Sequence, residues 1–330
     1  MKTTAKTWQT APLLWAVGLL LIAELVVRVG WQRNMSGRFD YGYHPTAGFV
    51  EEGDQLHLVR AGGRRFRPQS MPLKPDPDKL RVFVLGDSVP RGGSLPGAYA
   101  GQLPAALEKL GVIAESYNFG VPGYGVRRVQ IMLQQALHYA PDIVVIHVNN
   151  SNEFEDDREW RRRNTFRGWH PRLWLMKSLL IRRLHEAKTE KVFWELLPPA
   201  VRLQNAVQDA DAEITAAMNE GLLAEWDRRV ADVTRTSVRE ARSRGARVVL
   251  VSQANWQRGT ENIDRITALE TLCSSLVADD VVHVSMYDTL KNGEPPSSLF
   301  ADGAHLRGRG HELLAEAIAA GIPERWLRKP

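Results

Sequence analysis

Apolar residues fall into short blocks along the chain, and the blocks differ in kind. Leu80–Leu85, Ile143–Val148 and Arg247–Ser252 are strand-length runs rich in Val and Ile with few polar positions. Such runs predict strands buried on both faces, as in a parallel sheet. Val112–Phe119 and Val281–Val284 are weaker candidates for the same sheet. Helices are predicted over Tyr99–Leu110, Arg127–Tyr139, Thr260–Ala278 and Gly310–Ala320, with Gly111 and Gly245 as stop signals. Strands alternating with helices predict a three-layer α/β/α domain around a central parallel sheet, spanning residues 79–330. From Phe154 to about Ala241 the rhythm lapses. That stretch is long, charged and helical in character, and is expected to be an insertion or cap (about 154–241).

A different pattern opens the chain. Lys2 and Lys6 precede an apolar run from Ala11 to Ala23, interrupted by Glu24, resumed by Leu25–Val27 and closed by Arg28. The stretch is close to the minimum of the roughly 17–25 residues that cross a bilayer. A cleaved signal peptide would want small residues after the apolar core, and none stand in that arrangement. A buried soluble helix needs neither the leading lysines nor Trp15 and Trp31 near both edges. Residues 1–33 are therefore expected to be an uncleaved transmembrane anchor, with the lysines on the cytoplasmic side of the inner membrane and the remaining chain outside the cytoplasm. Glu24 is costly at depth, and pairing one turn on with Arg28 is expected to offset part of that cost. Residues 34–78, rich in Gly, Pro and Arg with extended patches such as Gln55–Arg60, read as a linker and irregular lead-in.

Composition alters this picture little. The 330 residues carry 44% hydrophobic and 25% charged side chains, ordinary for a folded chain, and a formal charge of +5. No nucleic-acid motif accompanies the charge, so a nucleic-acid partner is not expected. Cys273 is the single cysteine, which excludes an internal disulfide and argues against a structural zinc site. The basic, tryptophan-bearing stretch Arg158–Arg183 reads as a solvated or membrane-facing surface, or as a guide for anionic headgroups or acidic glycans.

Parallel α/β sheets gather reactive groups beyond the carboxyl ends of their strands. After the first strand stands Gly86-Asp87-Ser88, and after the second Asn118-Phe119-Gly120-Val121-Pro122-Gly123. The third is followed by Asn149-Asn150-Ser151-Asn152-Glu153, and before the last helix comes Asp302-Gly303-Ala304-His305. Acyl transfer needs a nucleophile, a base, a group orienting the base and donors for the oxyanion. Ser88 supplies a hydroxyl on a tight strand-to-helix turn, and its N–H points into the site. His305 is a competent base near neutral pH. Asp302, three residues earlier, reaches the other ring nitrogen. Gly123 lets a backbone N–H approach substrate, and Asn152 offers an amide donor, with Asn149 and Asn150 as alternatives for that role. Asp87 is expected to bond nearby backbone, Cys273 to sit in the core, and His138, His147, His283 and His311 to lack a catalytic part.

These four blocks, in this chain order, resemble the SGNH (GDSL-type) hydrolase family. The resemblance covers roughly Leu80–Ala320 apart from the insertion. It implies Ser88, Gly123, Asn152 and His305 as the defining four, Asp302 as the third member of the triad, and a flavodoxin-like three-layer fold. The third block departs from the pattern: Asn150 stands where a glycine is usual, and Glu153 where Asp is commoner. Asn-Glu-Phe, with Arg64–Arg67 before the first strand, is similar to a membrane-anchored branch. The expected activity is hydrolysis of an O-acyl, above all O-acetyl, ester on a glycan or lipid through an acyl-enzyme, with no cofactor or metal. Two alternatives stand beside it. One is an O-acyltransferase modifying envelope or exopolysaccharide, the other a non-catalytic envelope scaffold.

Overall fold

The computed structural model describes residues 7–31, 48–61, 64–153, 156, 178, 180, 223–254, 260–291 and 294–327. Helix α1 (Thr7–Trp31) is 25 residues long. It exposes Leu13, Leu14, Trp15, Leu19, Leu20, Leu21, Ile22, Leu25 and Val26. Among the described residues no helix is both long and apolar enough to cross a membrane. Described side chains of α1 run unbroken only from Pro12 to Val27.

An antiparallel meander follows, where an irregular lead-in was expected: β1 (Phe49–Glu52), β2 (Gln55–Ala61) and β3 (Arg64–Pro72). Gly53, at φ +62°, makes the first turn, a conformation that costs glycine nothing. Leu56 and Leu58 alternate with polar residues and are fully buried, as is Met71, while Phe66 is nearly so. One face thus packs and the other meets water. The meander lies against the central sheet through stacking of Phe49 on Phe119, ring centroids 5.8 Å apart.

The central sheet has five parallel strands, β4 (Leu80–Gly86), β5 (Ala114–Gly120), β6 (Ile143–Val148), β7 (Arg247–Ser252) and β8 (Val281–Ser285). Their spatial order is β5-β4-β6-β7-β8, so the chain winds outward in both directions from β4. That reversal at β4 and β6 is the topological switch point where such sheets open a crevice. Every residue of β4 and of β6 is buried. Alternate side chains feed two cores. Phe83 and Leu85 join α4 (Val126–Ala136), α5 (Leu223–Ser243), α6 (Thr260–Ser275) and the meander, whereas Val82 and Val84 join α3 (Tyr99–Glu108) and the C-terminal helix Gly308–Gly321. A short helix α2 (Ser88–Arg91) leaves β4 directly.

α5 falls at the end of the expected insertion but packs as the crossover helix between β6 and β7, burying Trp226, Val230, Val238 and Ala241. Most of the remaining insertion, including most of Arg158–Arg183, lies outside the described residues. Arg81 was unexpected in so apolar a strand. Its buried guanidinium bonds Glu115, the Tyr139 carbonyl at 3.1 Å and the Lys74 carbonyl at 3.0 Å.

Candidate active site

The turn after β4 is dictated by crowding. Gly86 sits at φ +155°, and a Cβ there would stand 2.7 Å from Pro90 Cγ and 2.8 Å from His147 Cβ. The chain can therefore pass close to β6 and reverse into α2. Asp87 caps that helix, its Oδ1 accepting the Val89 N–H at 2.9 Å. Ser88 is the first helical residue.

Three side chains from two distant segments form one hydrogen-bonded chain. Ser88 Oγ lies 2.8 Å from His305 Nε2, across 217 positions of sequence. His305 Nδ1 lies 2.7 Å from Asp302 Oδ2. The other carboxylate oxygen of Asp302 accepts the N–H groups of Ala304 at 2.9 Å and His305 at 2.8 Å. Partial burial pushes the Asp302 carboxyl up. The two N–H donors and the His305 ring outweigh that, and the net shift is downward, so the acid stays ionised and faces the ring nitrogen that must keep its proton. The side chains of His305 and Asp302 are 49% and 55% exposed, so the chain stands at an open mouth.

The segments after β5 and β6 converge on the same point. Asn152 Nδ2 donates to Asp87 Oδ2 at 2.9 Å, and the Tyr124 carbonyl lies 3.5 Å from it. The neighbouring asparagines are engaged elsewhere. Asn149 is buried and its Oδ1 accepts the Asn152 N–H at 3.3 Å, while Asn150 bonds Arg265. Of the three, Asn152 is the one placed beside the nucleophile turn. Gly123 takes φ +69°, and its carbonyl accepts Arg128 Nη2 at 2.5 Å.

A buried ionic cluster fixes these turns. Arg128 Nε bonds Asp156, which also accepts the Gly125 N–H at 3.1 Å, and Glu153 Oε1 accepts the Val126 N–H at 2.9 Å. The start of α4 is thus capped by two carboxylates from the segment that carries Asn152. Burial, then the charge of Asp156, raises the Glu153 carboxyl to about 7. Asp87, fully buried, is raised to about 6 by burial, with the Val89 N–H and His305 pulling the other way. Arg128, Asp156 and the Asp87–Asn152 bond escaped the reading of the sequence. Glu153, four residues N-terminal to no basic partner, gave no local sign of its role.

The other histidines lie outside the chain. His147 is buried beside the Tyr99 hydroxyl at 3.3 Å, and burial holds its pKa down at about 3. His311 is lowered to about 4, by burial and then by His305. Cys273 is buried in α6, and burial pushes its thiol up to about 12.

A serine, an imidazole and a carboxylate in line at the carboxyl edge of a parallel sheet define the class of the serine-dependent hydrolases. Residues 84–313 match the model of the GDSL-like Lipase/Acylhydrolase family. The chain belongs to that family and is an ester-hydrolysing enzyme. Solved structures similar to it include a lipase from goat rumen metagenome, 15% identical, with TM-score 0.47 over 75% of this chain and 100% of that one. An acetylxylan esterase from Geobacillus stearothermophilus is 15% identical, with TM-score 0.43 over 76% and 97%. A GDSL-like lipase from Bacteroides thetaiotaomicron is 13% identical, with TM-score 0.39 over 74% and 89%. Among curated proteins no relative matches the sequence.

Proposed function

We propose that the protein is a membrane-anchored, extracytoplasmic serine esterase that removes O-acyl groups, above all O-acetyl groups, from a glycan or lipid. One observation carries the catalytic part: the Ser88 Oγ to His305 Nε2 to Asp302 line at 2.8 and 2.7 Å. Ser88 attacks the acyl carbonyl while His305 takes its proton. Asp302 holds the ring in the tautomer with its proton on Nδ1. The backbone N–H groups of Ser88 and Gly123 and the amide of Asn152 receive the negative charge that grows on the carbonyl oxygen. His305 then returns the proton to the leaving alcohol, and water releases the acyl group in the reverse sense. The half-exposed His305 also admits a sugar hydroxyl in place of water, which would make acyl transfer a second outcome of the same site.

Anchoring rests on α1. Its apolar stretch, Ala11 to Val27 with Glu24 within it, stands at the short end of the roughly 17–25 residues that cross a bilayer. Its apolar side chains point outward, and Lys2 and Lys6 precede it. The acetyl ester of a surface glycan is the favoured substrate because an open mouth suits a bulky acceptor carrying a small acyl group.

Full-length protein in mild detergent, given a small activated acetate ester and a serine-reactive phosphonate beside its Ser88→Ala variant, tests the catalytic part. Turnover and labelling are expected to vanish in the variant. Labelling that survives rejects Ser88 as nucleophile.

A further inference from the structure

The apolar stretch of α1 contains one acidic side chain, Glu24, and its partners come from far along the chain. Glu24 Oε2 accepts Ser178 Oγ–H at 2.6 Å and the Leu180 backbone N–H at 2.9 Å, from 154 and 156 residues away. Local pairing with Arg28 was the expectation, and the Arg28 side chain lies outside the described residues. Two donors on one carboxylate oxygen, both from the stretch between β6 and α5, make a directed grip. Such charge-assisted bonds strengthen where water is excluded.

The surroundings of Glu24 set it apart. Leu20, Leu21, Leu25 and Val26 are 61%, 65%, 61% and 64% exposed, whereas Glu24 is only partly so. Among its described side chains the helix therefore shows an apolar surface with one polar point, and that point is where Ser178 and Leu180 attach. The sequence around the two donors is itself unusual for a solvated loop. Leu173-Trp174-Leu175-Met176 and then Lys177 precede them and Ile181 follows, with Arg172 on one side and Arg182 and Arg183 on the other. Apolar residues with tryptophan, bounded by arginines, suit the boundary between headgroups and acyl chains.

We propose that the segment at Ser178–Leu180 is a second lipid-contacting element, clasped to α1 through Glu24, so that the chain meets the bilayer at two places. The proposal rests on the reading of α1 as a membrane anchor. A carboxylate on a lipid-facing helix is expensive unless its hydrogen bonds are made, and the segment makes two of them. Two attachment points orient the catalytic domain on the membrane, where a single helix and a linker would let it swing.

The test uses full-length protein carrying Cys273→Ala, reconstituted in vesicles of phosphatidylcholine and phosphatidylglycerol. An environment-sensitive dye is placed at Leu20→Cys or at Leu180→Cys, and brominated lipids serve as quenchers. Both positions are expected to be quenched. Glu24→Ala is expected to reduce quenching at position 180 at least threefold and leave that at position 20 unchanged. Glu24→Gln, whose amide oxygen still accepts both bonds, is expected to retain most of it. Cleavage of an activated acetate ester reports that each variant is folded. Quenching at 20 without quenching at 180 overturns the inference and leaves the anchor standing. Quenching at neither overturns both. Quenching at 180 that ignores Glu24→Ala overturns the clasp.

Discussion

The side-chain amide of Asn152 donates to the carboxylate of Asp87 at 2.9 Å, tying the turn after β6 to the turn after β4. The bond spans the switch point of the sheet and, with the Tyr124 carbonyl 3.5 Å from the same nitrogen, holds the amide beside the turn that carries Ser88. An oxyanion donor is useful only if it is already aimed when charge develops. Asn152→Ala is therefore expected to lower kcat about 10²–10³-fold with little change in KM. Asn152→Asp is expected to be as poor, because two carboxylates at that separation cannot both ionise. Steady-state kinetics on an activated acetate ester checks both.

Asp87 also imposes a pH dependence on stability. Its carboxyl, raised from 3.8 to about 6 by burial, binds a proton more tightly folded than unfolded. Stability contributed by this group is thus full below about pH 4 and falls as pH rises through about 6, by on the order of 3 kcal/mol. Asp87→Asn is expected to remove that fall. Denaturant unfolding of both proteins at pH 4 and pH 7 measures it. Equal pH dependence in the two proteins refutes the assignment.

Arg128 and Asp156 are a buried pair, 3% and 0% exposed, with Arg127 standing farther from the carboxylate at 4.0 Å. Removing Arg128 leaves the buried Asp156 with only the more distant Arg127 as counter-ion. Arg128→Ala is expected to cost about 3–5 kcal/mol, and the double variant Arg128→Ala with Asp156→Asn less than the single one. Because Arg128 also holds the Gly123 carbonyl, kcat should fall in both. A double-mutant cycle by chemical denaturation, with kinetics alongside, checks the pair.

Gly86→Ala is expected to destabilise the fold by about 3 kcal/mol, through the contacts of the new Cβ with Pro90 and His147 and the strained backbone. Thermal unfolding measures it. A variant as stable as the parent would show that the β4 turn has room that its geometry denies.

The central strands were legible because they are apolar on both faces. β6 and β7 match their expected bounds to the residue, and no other element type accounts for runs so short and so uniform. The meander was harder. Leu56 and Leu58 do alternate, but arginines and glycines surround them, and a strand with one wet face sends a weaker signal. The charges of α5 mark it in sequence as part of an insertion, although Trp226, Val230, Thr234 and Val238 form a buried stripe at helical spacing. At the site, Ser88, His305 and Asp302 stand in one hydrogen-bonded line, each marked in sequence by the strand or helix it adjoins. Arg128 with Asp156, and Glu24 with Ser178, carry no such mark. Pairs brought together only by tertiary folding have no period in the sequence.

Gln69 of β3 makes two bonds to one residue of the outer strand β5: its Oε1 accepts the Asn118 N–H at 3.0 Å, and its Nε2 donates to the Asn118 carbonyl at 2.6 Å. A single glutamine thus imitates the next strand that an open sheet would otherwise recruit. At that residue the rim of β5 is already satisfied, so an intruding peptide must displace the glutamine before it can zip on.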